Sequence, residues 1–213
     1  MVDGSYAARV GAIGETWQVW AGLGGALTDA EWSVATRCPA WNVACVFAHH
    51  SRFPLALSTP LQPLKSASQN SSLTAPEVLR SLNVAGGIAS TAADAIAAAA
   101  VDEAAHHPHH QLLERFSVFG RAAVQQLRET DPKLIVAWPG AGAGIAVNEA
   151  LRIVLMEAVV HLLDVQRAVH QPPDVPAPAL ACAARLLTEV APPIDLIEAA
   201  TGRSTQTPFP VLR

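Results

Sequence analysis

From Asn148 to His170 the chain reads NEALRIVLMEAVVHLLDVQRAVH, an apolar pattern of helical period that only a buried helix satisfies. Inside it stand Glu157 and His161, four residues apart. At about 100° per residue their side chains lie about 40° apart on one face. A carboxylate and an imidazole therefore project together into what should be a core. Buried without partners they would cost several kcal/mol, so the arrangement calls for a compensating group, and a divalent metal ion is the most economical one.

Such a helix needs a fold that can bury it. The chain has 213 residues, 51% of them hydrophobic, enough for one well-buried domain but not for two. Alanine and leucine dominate, with five Phe and one Tyr, and few runs alternate in the manner of strands, so the expected fold is all-α. Fourteen basic residues against eighteen acidic ones, without a Lys/Arg cluster, exclude a nucleic-acid surface. Three cysteines without a CxxC spacing, and an N-terminus lacking a signal-peptide apolar stretch, point to the reducing cytoplasm. Every long apolar stretch is interrupted by a polar residue before eighteen residues, so no membrane span is expected.

Helical spacing places a first long helix over 5–27, with Val10, Ile13, Trp17, Trp20, Leu23 and Leu27 in register. Thr28 to Glu31 has the pattern of a capping box, and Pro39 holds the following connection off the helical path. A second helix runs from Trp41 to Leu57, with Asn42 as N-cap, Cys45, His49 and Phe53 in one row, and Pro54 kinking or ending it. Residues 58–75 read as a long surface linker. An alanine-rich tract over 76–105, broken near Gly86 and Gly87, and a helix over 111–129 follow. Trp138 to Gly144 reads as a flexible loop. After His170 a proline-rich linker leads to two short helices, 179–190 and 194–200, the second ended by Gly202. The expected division is a bundle over 1–170 and a Pro-linked helical extension over 171–213 that is not an independent domain. The tryptophans Trp17, Trp20, Trp32, Trp41 and Trp138 read as packing.

Two ligands about 6 Å apart along one helix need a third from another element. The donor is His49 or His50, and His49 is preferred because it shares a face with Cys45 and Phe53, whereas His50 lies about 100° round the helix. On spacing alone the plainer account is a core histidine satisfied by Glu157, with His49 unrelated. Asp164, three residues beyond His161, can support a ligand from behind or make a surface contact. His106, His107, His109 and His110 surround Pro108, and a solvent-exposed turn accounts for them without a metal.

A longer pattern adds to the pair. Thr36-Arg37-Cys38-Pro39-Ala40-Trp41-Asn42-Val43, continuing to Ala48-His49, resembles the T-x-C-P-G-W-T-V-x-D-x-x-A-H signature of the mycothiol-dependent maleylpyruvate isomerase N-terminal family, a branch of the DinB-like bundles. Glu157 to Asp164 resembles that family's E-x-x-x-H-x-x-D motif, and the tail from Ala200 to Arg203 and from Pro210 to Arg213 resembles that of many actinobacterial members. The resemblance implies a DinB-like antiparallel four-helix bundle in which His49, Glu157 and His161 hold a divalent ion, usually zinc. It implies mycothiol or a similar low-molecular-weight thiol on the open metal position, with an electrophilic small molecule as its target. Thiol transfer or thiol-dependent isomerisation is the activity expected; a metal-dependent hydrolase, or a non-catalytic small-molecule or partner-binding bundle, are the alternatives. A homodimer is a possible assembly.

The match has two departures. Cys45 stands where the family often has Asp, and reads as a small buried residue ahead of a group supporting a ligand from behind or an extra ligand. The named isomerases carry a further C-terminal α/β domain, which the residues after His170 are too few to supply, so maleylpyruvate isomerisation itself is not the expected reaction. Arg203 is a candidate anchor for a carboxylate of substrate or thiol, since its fork matches that group, and a salt bridge docking the tail explains it as well.

Overall fold

The computed structural model describes residues 4–64, 72–84, 86–87, 91–141, 143–204 and 210–212. Helix α1 (Tyr6–Ala26) starts where the Ser5 hydroxyl accepts the Ala8 amide, and it buries Val10, Ile13, Trp17, Trp20 and Leu23, while Leu27 is its half-buried C-cap. The Thr28 to Glu31 capping box forms and opens the one-turn α2 (Asp29–Trp32). Asn42 caps α3 (Val43–Leu57) by accepting the Cys45 amide at 3.0 Å, and Pro54 lies within the helix without ending it. Strand β1 (Ser72–Leu73) precedes α4 (Ala75–Asn83), which a Thr74 to Glu77 capping box starts.

The alanine-rich tract is divided as expected: α4 is followed by α5 (Ala93–His106), and positions 85 and 88–90 of the break lie outside the described residues. Helix α6 (His109–Glu114) runs through a π-helical segment, Arg115–Phe119, into α7 (Gly120–Glu129). Strands β2 (Ile135–Ala137) and β3 (Gly144–Ala146) lead into α8 (Val147–Ala168), the helix of Glu157 and His161. Helices α9 (Ala177–Val190) and α10 (Pro193–Ala200) follow, with Gly202 at φ 68° closing the latter.

The protein is thus mostly helical, and the purely helical expectation is corrected by a three-stranded sheet of order β1-β3-β2. Strand β1 runs parallel to β3, with Ser72 opposite Gly144, while β2 is antiparallel to it, with Val136 opposite Ile145. Strands of two or three residues are too short to display an alternation, so the pattern could not announce them. The expected loop after Trp138 ends in one of them. Gly144 is required there: a Cβ would lie 2.4 Å from Ile135 Cγ2 and 2.9 Å from Leu64 Cδ2. The stretch 65–71 of the expected linker and 205–209 of the tail lie outside the described residues.

Helix α1 packs against α7 and α8, and α3 packs against the same two helices and against α5. The Trp20 indole N–H donates to the Ala158 carbonyl at 3.1 Å and ties α1 to α8. Helix α9 lies on α8, α1 and α4, burying Ala179, Ala183, Leu186 and Val190. This packing seats the faces of α3 and α8 that carry the polar residues against each other.

Candidate metal centre

Glu157 and His161 lie one turn apart on α8, with Glu157 Oε2 3.4 Å from His161 Nε2. Helix α3 supplies His49, and one donor atom from each of the three falls within 4.8 Å of the others. The two imidazoles meet nearly edge to face, with ring centroids 5.2 Å apart at 81°. Trp41 forms a wall beside both, its centroid 4.8 Å from His49 and 5.9 Å from His161, and its indole N–H is spent on the Ala97 carbonyl of α5. The site is open on one side: the Glu157 side chain is 28% exposed and that of His161 13%.

Behind His161 stands a second set of partners. Its Nδ1 lies 3.1 Å from Asp164 Oδ2, to which the Cys38 thiol also donates at 3.3 Å. Arg37 donates from Nε and Nη2 to Asp164 Oδ1 at 3.1 and 2.7 Å. Asp164 therefore faces inward to the histidine. Cys38, His161 and Asp164 form another group with ligand atoms within 4.8 Å. That group is the poorer cation site, because the Asp164 carboxylate is already matched by the two N–H groups of the Arg37 cation and by the Cys38 thiol.

The electrostatics divide the two histidines. Burial, and then the charge of His161, push His49 down to about 4 against the pull of Glu157, so it stays neutral as a metal ligand must. Burial also opposes a charge on His161, but the hydrogen bonds to Asp164, Cys38 and Glu157 outweigh it and hold this group well above its usual value. Burial raises Glu157, yet the hydrogen bond and charge of His161 prevail and keep the carboxyl below its ordinary range. Asp164 is lowered in the same way: burial opposes, and His161, Cys38 and Arg37 decide. A proton on His161 is thus the positive charge these carboxylates share, and a divalent cation beside Nε2 can replace it.

The donor set fits such an ion. Two imidazoles and one carboxylate are the ligands of zinc sites that keep a position open, and a 3.4 Å separation of two donors is that of ligands about 2.1 Å from one tetrahedral ion.

The other sequence candidates fall elsewhere. His50 is fully buried against Trp20 and Phe116, with ring centroids at 5.1 and 5.9 Å; its ring lies 6.5 Å from that of His161, and it joins neither ligand group among the described residues. Cys45 is a buried core residue belonging to neither ligand group among the described residues. His106 and His107 bond to Asp102 and Gln111 near the surface, His109 stacks on Trp32 at 4.2 Å, and His110 is exposed; none joins a ligand group among the described residues. Arg203 is exposed and donates to the Thr201 carbonyl of its own turn, and among the described residues no contact joins it to the trio. Arg37 and Cys38 are the site residues that spacing did not single out, although both lie in the T-x-C-P segment.

Fold and site together define a mostly helical protein with a His/Glu/His donor set shared between two packed helices. The profile of the mycothiol maleylpyruvate isomerase N-terminal domain matches residues 13–166, and the chain belongs to that family. The matched span contains Arg37, Cys38, Trp41, His49, Glu157, His161 and Asp164 and ends before α9. No curated protein and no solved structure matched the chain.

Proposed function

We propose that this protein is a divalent-metal-dependent enzyme that activates a low-molecular-weight thiol, mycothiol or a close analogue, for transfer to, or isomerisation of, an electrophilic small molecule. The carrying observation is the convergence of His49, Glu157 and His161 from two helices on one partly open point. In this reading residues 1–170 form a DinB-like antiparallel four-helix bundle built on α1, α3, α7 and α8, with 171–213 as a dependent extension. The ion is zinc ahead of other divalent metals, and the protein works in the cytoplasm.

A cation at this point supplies stabilisation of a thiolate, the nucleophilic form of the thiol, at neutral pH. The chain's own residues prepare the position. His49 offers a neutral nitrogen and Glu157 an ionised oxygen. Asp164 holds His161 by Nδ1 so that Nε2 faces Glu157. Trp41 covers the histidines and excludes water from one side, while the exposed flank of Glu157 leaves an approach for thiol and electrophile.

Metal analysis of the purified protein should find about one zinc per chain, reduced in both His49→Ala and Glu157→Ala; unchanged content in both variants refutes the site. Mycothiol incubated with a panel of electrophiles should be conjugated or the electrophile isomerised faster with protein than without. No acceleration refutes the thiol reading, and turnover without any thiol identifies a hydrolase.

A further inference from the structure

We propose that the loop between α2 and α3 is a clamp on the candidate ligand His161, and that Arg37 is its positioning residue. The loop is tied to itself. The Thr36 amide and hydroxyl both donate to the Trp41 carbonyl at 3.0 Å, the Cys38 amide donates to the Thr36 hydroxyl at 3.2 Å, and the Trp41 amide returns to the Cys38 carbonyl at 3.1 Å. At its tip Ala40 stands at φ 65°, in the left-handed region that an L residue occupies only when its surroundings enforce it. This closure sends the side chains of Arg37 and Cys38 to the same carboxylate on a helix 127 residues away in sequence.

That carboxylate is held at both oxygens. Arg37 places Nε and Nη2 on Oδ1, while Oδ2 takes the Cys38 thiol and His161 Nδ1. The terminal torsion of an aspartate is soft and nearly two-fold, so a free Asp164 could turn either oxygen, or neither, to the imidazole. The clamp removes that freedom and fixes which nitrogen of His161 faces Glu157. The Arg37 side chain is 61% exposed and Asp164 only 8%. An ordinary surface ion pair of that exposure would order nothing. Two donors on one buried oxygen do, and the flat fork needed for them is a property of arginine that lysine lacks.

The proposal rests on the metal reading only for its binding measurement. In the metal-free full-length protein, the hydrogen-bonded Nδ1 proton of His161 should give a downfield proton resonance, assigned by its loss in His161→Gln. Arg37→Ala should broaden or shift it, and Arg37→Lys should restore it in part. Zinc titration against a chromophoric chelator should show binding weakened roughly three- to tenfold by Arg37→Ala, short of the roughly 10–100-fold expected for direct partners of a ligand such as Asp164→Asn. An unchanged Nδ1 resonance in Arg37→Ala overturns the clamp, whatever happens to thermal stability. If the wild type takes up no zinc the metal reading fails, and the resonance still decides the role of Arg37.

Discussion

Replacing His50 with leucine tests how the core beside the candidate site tolerates a buried imidazole. His50 is fully buried, and neither ring nitrogen has a hydrogen-bond partner among the described residues. Burial, reinforced by the charges of His161 and His49, holds it well below the usual 6.5. As pH falls through that value the unfolded chain binds a proton that the folded chain refuses. The unfolded state then holds more protons, so stability falls with pH, by about 1.4 kcal/mol for each unit while folded His50 stays neutral. His49, pushed down to about 4, contributes in the same direction between 6.5 and that value. His161, raised well above its usual value, works the opposite way: its contribution is present below 6.5 and lost as pH rises through its folded pKa.

His50→Leu removes only one of these three. At pH 8 it relieves unpaired nitrogens worth about 1–3 kcal/mol and loses stacking on Trp20 and Phe116 worth about 0.5–1.5 kcal/mol, a net effect between about 0.5 kcal/mol of destabilisation and about 2.5 kcal/mol of stabilisation. At pH 5.5 the variant should gain about 1.4 kcal/mol more over wild type. Urea unfolding followed by circular dichroism at both pH values, with chelator present throughout, measures the difference. A variant advantage that is the same at pH 8 and pH 5.5 refutes the reasoning.

Four further substitutions probe the fold. Ala40→Gly relieves a left-handed alanine worth about 1–2 kcal/mol against the extra unfolded-state freedom of glycine, about 0.5–1 kcal/mol; a net gain of up to about 1.5 kcal/mol should raise Tm, and a lower Tm counts against strain at φ 65°. Gly24→Ala puts a Cβ 2.3 Å from Leu113 Cδ2 and 2.8 Å from Phe47 Cε1, so overpacking of about 1–3 kcal/mol should exceed the helix-propensity gain of about 1 kcal/mol. Gly25→Ala, with nothing within 4 Å, should be stabilising, and equal melting shifts for the two glycines would refute the packing argument. Arg115→Met strips Glu103 of the guanidinium 2.6 Å away and Ser51 of a donor at 3.3 Å. Because Glu103 keeps some contact with water, the expected loss in chemical denaturation is about 2–3 kcal/mol, below that of a fully buried pair; no loss would show that the pair is not stabilising.

The sequence by itself determined the helices and the pairing within them. The Thr28 capping box and the Asn42 cap act on amides three residues away, and Glu157 and His161 share a face because helical geometry alone puts them there. The face argument that preferred His49 to His50 has the same local origin. What α3 brings to α8, and the reach of Arg37 and Cys38 to Asp164, only the tertiary structure decided. So did the short sheet, whose strands pair Ser72 with Gly144 across more than seventy positions with too few residues to form a pattern. The physical reason is range. Caps and helix periodicity are set by neighbours within about a turn. The partners of Asp164, and the orphaned nitrogens of His50, depend on which surfaces the whole chain finds it most favourable to bury together.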